Sequence, residues 1–150
     1  MSTNRGRRQF SLVFASFFGA AMIAAAFAYS NWRFSEYKFV DFSKLIFYSK
    51  RDIFTPTEDR YTVVIYSSKM INFEEIVKKI SKKDKVLAID MFQEKRGEDK
   101  ERGIIFVTSG MNTIIKVIQR FNIYELPTVF RIKRFRDSIY KQDSLIEVIE

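Results

Sequence analysis

The distribution of apolar positions divides the chain into two parts with different periodicities. From Phe10 to Ala28 it reads FSLVFASFFGAAMIAAAFA, nineteen residues without a charge. At about 1.5 Å rise per residue such a helix spans about 28 Å, close to the roughly 30 Å hydrocarbon core of a bilayer. Tyr29, Trp32 and Phe34 follow at once, as residues of an interfacial aromatic belt do. A transmembrane helix over residues 10–29 is therefore expected, preceded by a short basic tail, 1–9.

Beyond residue 60 the pattern alternates between strand and helix signals. Tyr61–Ser67 is a β-branched and aromatic run of buried-strand type. Asn72 stands where a helix cap belongs, with Glu75 three residues on, and Phe73, Ile76, Val77 and Ile80 then form one apolar helix face. Val86–Phe92 reads as a second buried strand, Gln93–Gly103 as a charged loop and Ile104–Thr108 as a short strand. A helix capped by Asn112 is predicted to turn Ile114, Ile115, Ile118 and Phe121 inward. Strands are predicted at Pro127–Ile132 and Ser138–Lys141, and a closing helix over Gln142–Ile149, capped at Asp143 or Ser144. Such alternation is that of an α/β domain, 60–150, with a central mixed sheet and helices on both faces.

Between the two parts lies a connector, 30–59, rich in aromatic residues. Trp32, Phe34, Phe39, Phe42, Phe47 and Tyr48 form a rough helical stripe that Leu45 and Ile46 thicken. Two readings stand side by side. One is a segment lying in the headgroup region with its aromatics buried. The other is a docking surface for a membrane protein, since aromatic side chains are enriched at interfaces.

Composition narrows the chemistry. There is no cysteine and no histidine. That removes thiolate nucleophiles, disulfides, the commonest general base and the commonest transition-metal ligands. No cofactor or metal is expected, and no enzymatic activity. The formal net charge of +8 favours an acidic partner or an anionic membrane surface. Arg5, Arg7 and Arg8 crowd the N-terminal flank of the apolar segment, so the positive-inside rule places the N-terminus in the cytoplasm and the domain on the outer, periplasmic side of the inner membrane. Two alternatives concern the same segment. Ala26-Phe27-Ala28 is a signal-peptidase-like site that would release a soluble domain beginning at Tyr29, and Arg7–Leu12 is similar to a twin-arginine export signal.

One stretch points to a family. Arg120–Phe130, RFNIYELPTVF, resembles the second-helix end and cis-proline strand of the thioredoxin family, and Val86–Asp90 is similar to the strand before it. The resemblance implies a thioredoxin-like domain with a cis peptide at Leu126–Pro127. It also locates a departure: where the family carries its C-x-x-C pair, this chain has Ser67-Ser68-Lys69-Met70-Ile71-Asn72. Thiol–disulfide exchange needs a thiolate and a resolving sulfur, so the domain is expected to be redox-inactive. What the resemblance leaves is the groove beside the cis-proline, which in the family accepts extended polypeptide. Ser68, Lys69, Met70, Leu126 and Pro127 would line it here, or merely close the end of a core.

The basic run Arg131–Arg136 adds a further candidate, since strand alternation puts Arg131 and Lys133 on one face. Such a run solvates a hairpin and protects an edge, or meets anionic headgroups or an acidic partner. The expected function is that of an accessory or assembly-chaperone subunit, which binds and stabilises a larger inner-membrane protein complex. By analogy a flagellar stator, or another motor or secretion complex, is the kind of assembly meant. The expected partners are an integral membrane protein or complex, and membrane lipid at the anchor. Nucleic acid and small-molecule substrates are not expected. The competing reading is an unfamiliar enzyme using Ser67, Ser68 or Lys69, although a hydroxyl there has no histidine to activate it.

Overall fold

A computed structural model describes residues 3–36, 38–94 and 96–150. The chain forms two compact units, 1–36 and 37–150. The first is one helix, α1 (Thr3–Glu36), whose segment Gly6–Trp32 holds an 18-residue stretch of mean hydropathy 2.1 and is long and apolar enough to cross a membrane. Its apolar side chains are exposed on every side, Phe14 at 76% and Phe17 at 78% among them, so no soluble core accounts for them. Ser16, a polar residue inside the apolar stretch, donates its hydroxyl to the Val13 carbonyl at 2.9 Å.

The second unit is a mixed α/β domain. Its strands are β1 (Phe39–Asp41), β2 (Tyr48–Ser49), β3 (Asp52–Ile53), β4 (Arg60–Tyr66), β5 (Lys85–Asp90), β6 (Glu98–Asp99), β7 (Ile104–Val107), β8 (Thr128–Arg136), β9 (Ile139–Gln142) and β10 (Glu147–Val148). The helices are α2 (Phe73–Lys79) and α3 (Met111–Arg120). The main sheet has the order β1-β9-β8-β4-β5-β7-β6, with β10 also paired to β8; β2 and β3 form a separate hairpin. Strands β4, β5 and β7 are parallel, and the remaining pairs of the main sheet are antiparallel.

Strand β4 lies in the middle, and every residue after Arg60 in it is buried, the mark of a strand covered on both faces. Alternation sends Val64 and Tyr66 toward α2, where they meet Phe73, Ile76 and Val77, together with Val86, Ala88, Ile104 and Phe106. Tyr61, Val63 and Ile65 turn to the opposite face, toward Ile114, Val117 and Phe121 around α3. Asn72 caps α2 by accepting from the Glu74 N–H at 3.2 Å.

Three expectations are corrected. The connector does not lie outside the fold: residues up to Glu36 are helical, and from Phe39 onward the chain joins the domain as β1 and the β2–β3 hairpin. Val40, Phe42, Leu45, Phe47 and Phe54 fill the α3 side of the core. There Phe42 packs edge-on to Phe54 and Tyr140, with ring centroids 5.5 and 5.4 Å apart. Helix α3 begins at Met111 behind Gly110 rather than behind Asn112; Ile114, Ile118 and Phe121 do face the core, joined by Val117, but Ile115 is 41% exposed. The closing helix is absent. The Asp143 N–H donates to the Arg131 carbonyl at 2.7 Å and the Ile149 N–H to the Pro127 carbonyl at 2.9 Å, so the segment continues along β8 as β10. A helix of eight or nine residues is marginal by itself, and the free edge of β8 offers its backbone partners instead.

Candidate functional site

Topology brings three loops to one edge of the sheet. Strands β4 and β5 are parallel and end together, with Tyr66 opposite Asp90. Strand β8 runs the other way and begins there, with Thr128 opposite Ile65. Ser67–Met70, Met91–Glu94 and Glu125–Pro127 therefore converge at the carboxyl ends of the parallel strands, where open α/β sheets present their binding loops. The Leu126–Pro127 peptide is cis, and the Thr128 hydroxyl donates to the Glu125 carbonyl to close that turn.

Asp90 organises the edge. It is buried, and its Oδ1 accepts from the Ser68 N–H at 3.0 Å and the Phe92 N–H at 2.9 Å, while Oδ2 accepts from the Glu94 N–H at 3.0 Å. Burial pushes its pKa upward, but the hydrogen bonds from Ser68, Phe92 and Glu94 outweigh burial and hold it below the ordinary carboxylate value. Across the ladder the Tyr66 hydroxyl is buried without a hydrogen-bond partner among the described residues, and burial, with the Asp90 charge beside it, pushes its pKa up to about 12. The Ser67 hydroxyl is likewise buried and unpartnered, so no described side chain stands within reach to take its proton.

The residues expected to line the cis-proline groove are brought together here. Ser68 and Leu126 are half-buried, Pro127 is buried, and Lys69 and Met70 are exposed. Two further apolar side chains complete the edge. Phe92 is 53% exposed with the Lys69 ammonium 4.3 Å from its ring centroid, and Tyr124 is 85% exposed. Phe92 reads in sequence as the end of a strand, and Tyr124 as part of the family-like stretch. Only the fold shows that both face solvent.

The aromatic candidates separate. Phe42 and Phe47 are core residues, 8% and 1% exposed, with no surface to offer a partner; the stripe that grouped them with their neighbours assumed a helix, whereas the chain there is strand and turn. Phe39 is half-buried on β1 and Tyr48 is 45% exposed on β2. Trp32 lies on α1, exposed, its ring centroid 6.0 Å from that of Tyr29. The side chain of Phe34 lies outside the described residues.

Arg131 and Lys133 are both exposed on β8, on the face that carries α2. Neither has an ion pair among the described residues, whereas Arg134, turned the other way, packs its guanidinium 5.6 Å from the Tyr140 ring centroid. Beside Arg131 a cavity of about 310 Å³ opens between the end of α2 and β8, lined by Lys79, Lys83, Val129 and Leu145 among others. Compared with known proteins, the chain matches no protein-family model and no curated protein.

Proposed function

We propose that this chain is a membrane-anchored, redox-inactive protein of thioredoxin-like fold. In this reading it holds an extended segment of a membrane-complex partner at the carboxyl edge of its sheet, as an accessory or assembly-chaperone subunit. Four features support the fold reading: the strand order β5-β4-β8-β9, the parallel β4–β5 pair, the antiparallel β8–β9 hairpin and the cis peptide that opens β8. Helix α1, with its exposed apolar surface, supports the anchor. The absence of cysteine takes away thiol chemistry while the scaffold remains.

The observation that carries the binding reading is the exposed apolar edge. Met70 and Phe92, on two of the three converging loops, are 73% and 53% exposed, and Tyr124, one residue before the third, is 85% exposed. Isolated exposed apolar residues are ordinary, but several gathered at a loop cluster mark an interaction surface. Met and aromatic side chains adapt to varied apolar partners. The test is site-specific photocrosslinking from the full chain in native membranes. A photoreactive residue at Tyr124 is expected to capture a membrane-complex subunit, and one at Ile115, on α3, is not. Capture from both sites alike, or from neither, would remove the edge from consideration.

A further inference from the structure

The absent closing helix leaves part of one sheet face uncovered, and the strand registers show what lies on it. Arg60 of β4 is opposite Lys133 of β8, Lys133 is opposite Lys141 of β9, and Lys141 is opposite Phe39 of β1. Three cationic side chains thus stand in one row across three adjacent strands, ending on an aromatic ring. All three cations are exposed, and in the following strand position Arg131 is exposed on the same face. Directly opposed residues in a sheet lie about 4.5–5.5 Å apart at Cβ, and like charges so placed repel. Asp143 lies 4.0 Å from Arg60, and Asp84 and Glu147 line the cavity beside Arg131, but Lys133, Lys141 and Arg131 have no ion pair among the described residues.

We propose that the uncovered part of this face, the row Arg60–Lys133–Lys141–Phe39 with Arg131 beside it, docks on an anionic lipid surface. The proposal rests on the anchored reading above for the surface that it meets. Charge complementarity supplies the first argument: Lys133 and Lys141, opposed to each other and without an ion pair among the described residues, gain most from a plane of negative headgroups. The second is the aromatic end of the row. Phe135 is 63% exposed, and its ring centroid lies 5.3 Å from that of Phe39, a pair suited to the headgroup boundary. Chain connectivity supplies the third. Phe39 is three residues beyond the last residue of α1, at most about 10 Å of extended chain. A single-stranded nucleic acid fits less well. It needs open ring faces to stack on, and the Phe39 and Phe135 rings meet edge to face, with the Lys141 ammonium 5.7 Å from the Phe39 centroid.

The test uses the full chain in lipid nanodiscs. Because the chain has no cysteine, Arg136→Cys on the exposed end of β8 gives a single site for a donor dye, read by energy transfer to acceptor-labelled headgroups. Transfer is expected to be higher in phosphatidylglycerol-containing discs than in phosphatidylcholine discs, and to fall in high salt with the sequence otherwise unchanged. Each basic side chain adds about fivefold in binding to an anionic leaflet. Lys133→Gln with Lys141→Gln should therefore lower the apparent binding about twenty-five-fold, while circular dichroism shows the domain still folded. Equal transfer in the two kinds of disc at low salt overturns the proposal. So does an oligonucleotide that binds the chain in anionic discs while the label stays far from lipid. A chain that never enters neutral discs removes the anchor instead, and the same label read against added phosphatidylglycerol vesicles then decides the face by itself.

Discussion

At Asp90 one carboxylate ties the loop after β4 to the loop after β5, because the three N–H groups it accepts come from Ser68, Phe92 and Glu94. Replacing it with Asn keeps the size but loses the charge that those donors face, and should cost about 1–3 kcal/mol, read by urea denaturation. The folded-state pKa is depressed, so the stabilisation is present above the ordinary value of 3.8 and is lost as the pH falls below it. Asp90→Asn should accordingly flatten the acid limb of the stability profile, and an unchanged limb would show that the loops are held by something else. Tyr66 behaves in the opposite sense. Its pKa is raised from 10.0 to about 12, so below pH 10.0 the two states are protonated alike, and as the pH climbs from 10.0 toward 12 the unfolded chain ionises first and stability is lost. Tyr66→Phe removes a buried hydroxyl that has no partner; it should leave stability at neutral pH unchanged or raise it by up to about 1 kcal/mol, and weaken the alkaline transition. In the sequence Asp90 was visible as the acid that ends a family-like strand. Its three donors were not, since each comes from a loop whose path depends on the whole sheet.

Among the elements, those built from a strong period were legible: β4, β5, β8, the β9 hairpin and α2 all fall where alternation or an i, i+3, i+4 face put them. The failures share a cause. Residues 38–54 offered aromatics that suit either a helical stripe or a strand, and only the vacancy beside α3 selects the strand-and-turn path that buries Phe42 and Phe47. Phe42→Ala should thus cost about 3–5 kcal/mol, as large aromatic truncations in cores do. Tyr48→Ala, at an exposed site, should stay within about 0.5 kcal/mol; similar losses for both would return the segment to a surface role. The closing segment had helix-like residues but too few of them, and the edge of β8 decided its fate. The row of cations was hidden for a different reason: Lys133 and Lys141 are eight positions apart, and register alone sets them side by side. Lys133→Gln should raise the melting temperature at low ionic strength, equivalent to about 0.2–1 kcal/mol. The gain should vanish in concentrated salt, where the repulsion is already screened.

For the whole molecule, composition was the most informative reading, because zero cysteine and zero histidine bear on every site at once. The site itself was half legible: Met70, Lys69 and the Leu126–Pro127 step were named from the resemblance, while Phe92 and Tyr124 needed the loops to converge. On the anchored reading, the full chain should stay with the membrane pellet after alkaline carbonate washing, and release into the supernatant would favour a cleaved or peripheral form.

Strand β1 follows α1 directly and is tied to β9 by only three residue pairs, Phe39↔Lys141, Val40↔Tyr140 and Asp41↔Ile139. The β4–β8 pairing next inward has six. Any tension between a fixed α1 and a partner gripping the domain runs through β1 first. In a single-molecule pulling experiment from the N-terminus, β1 should detach as an early, low-force event, with the rest of the sheet yielding later. The domain would then lengthen its own tether under strain while the edge proposed to hold a partner stayed closed.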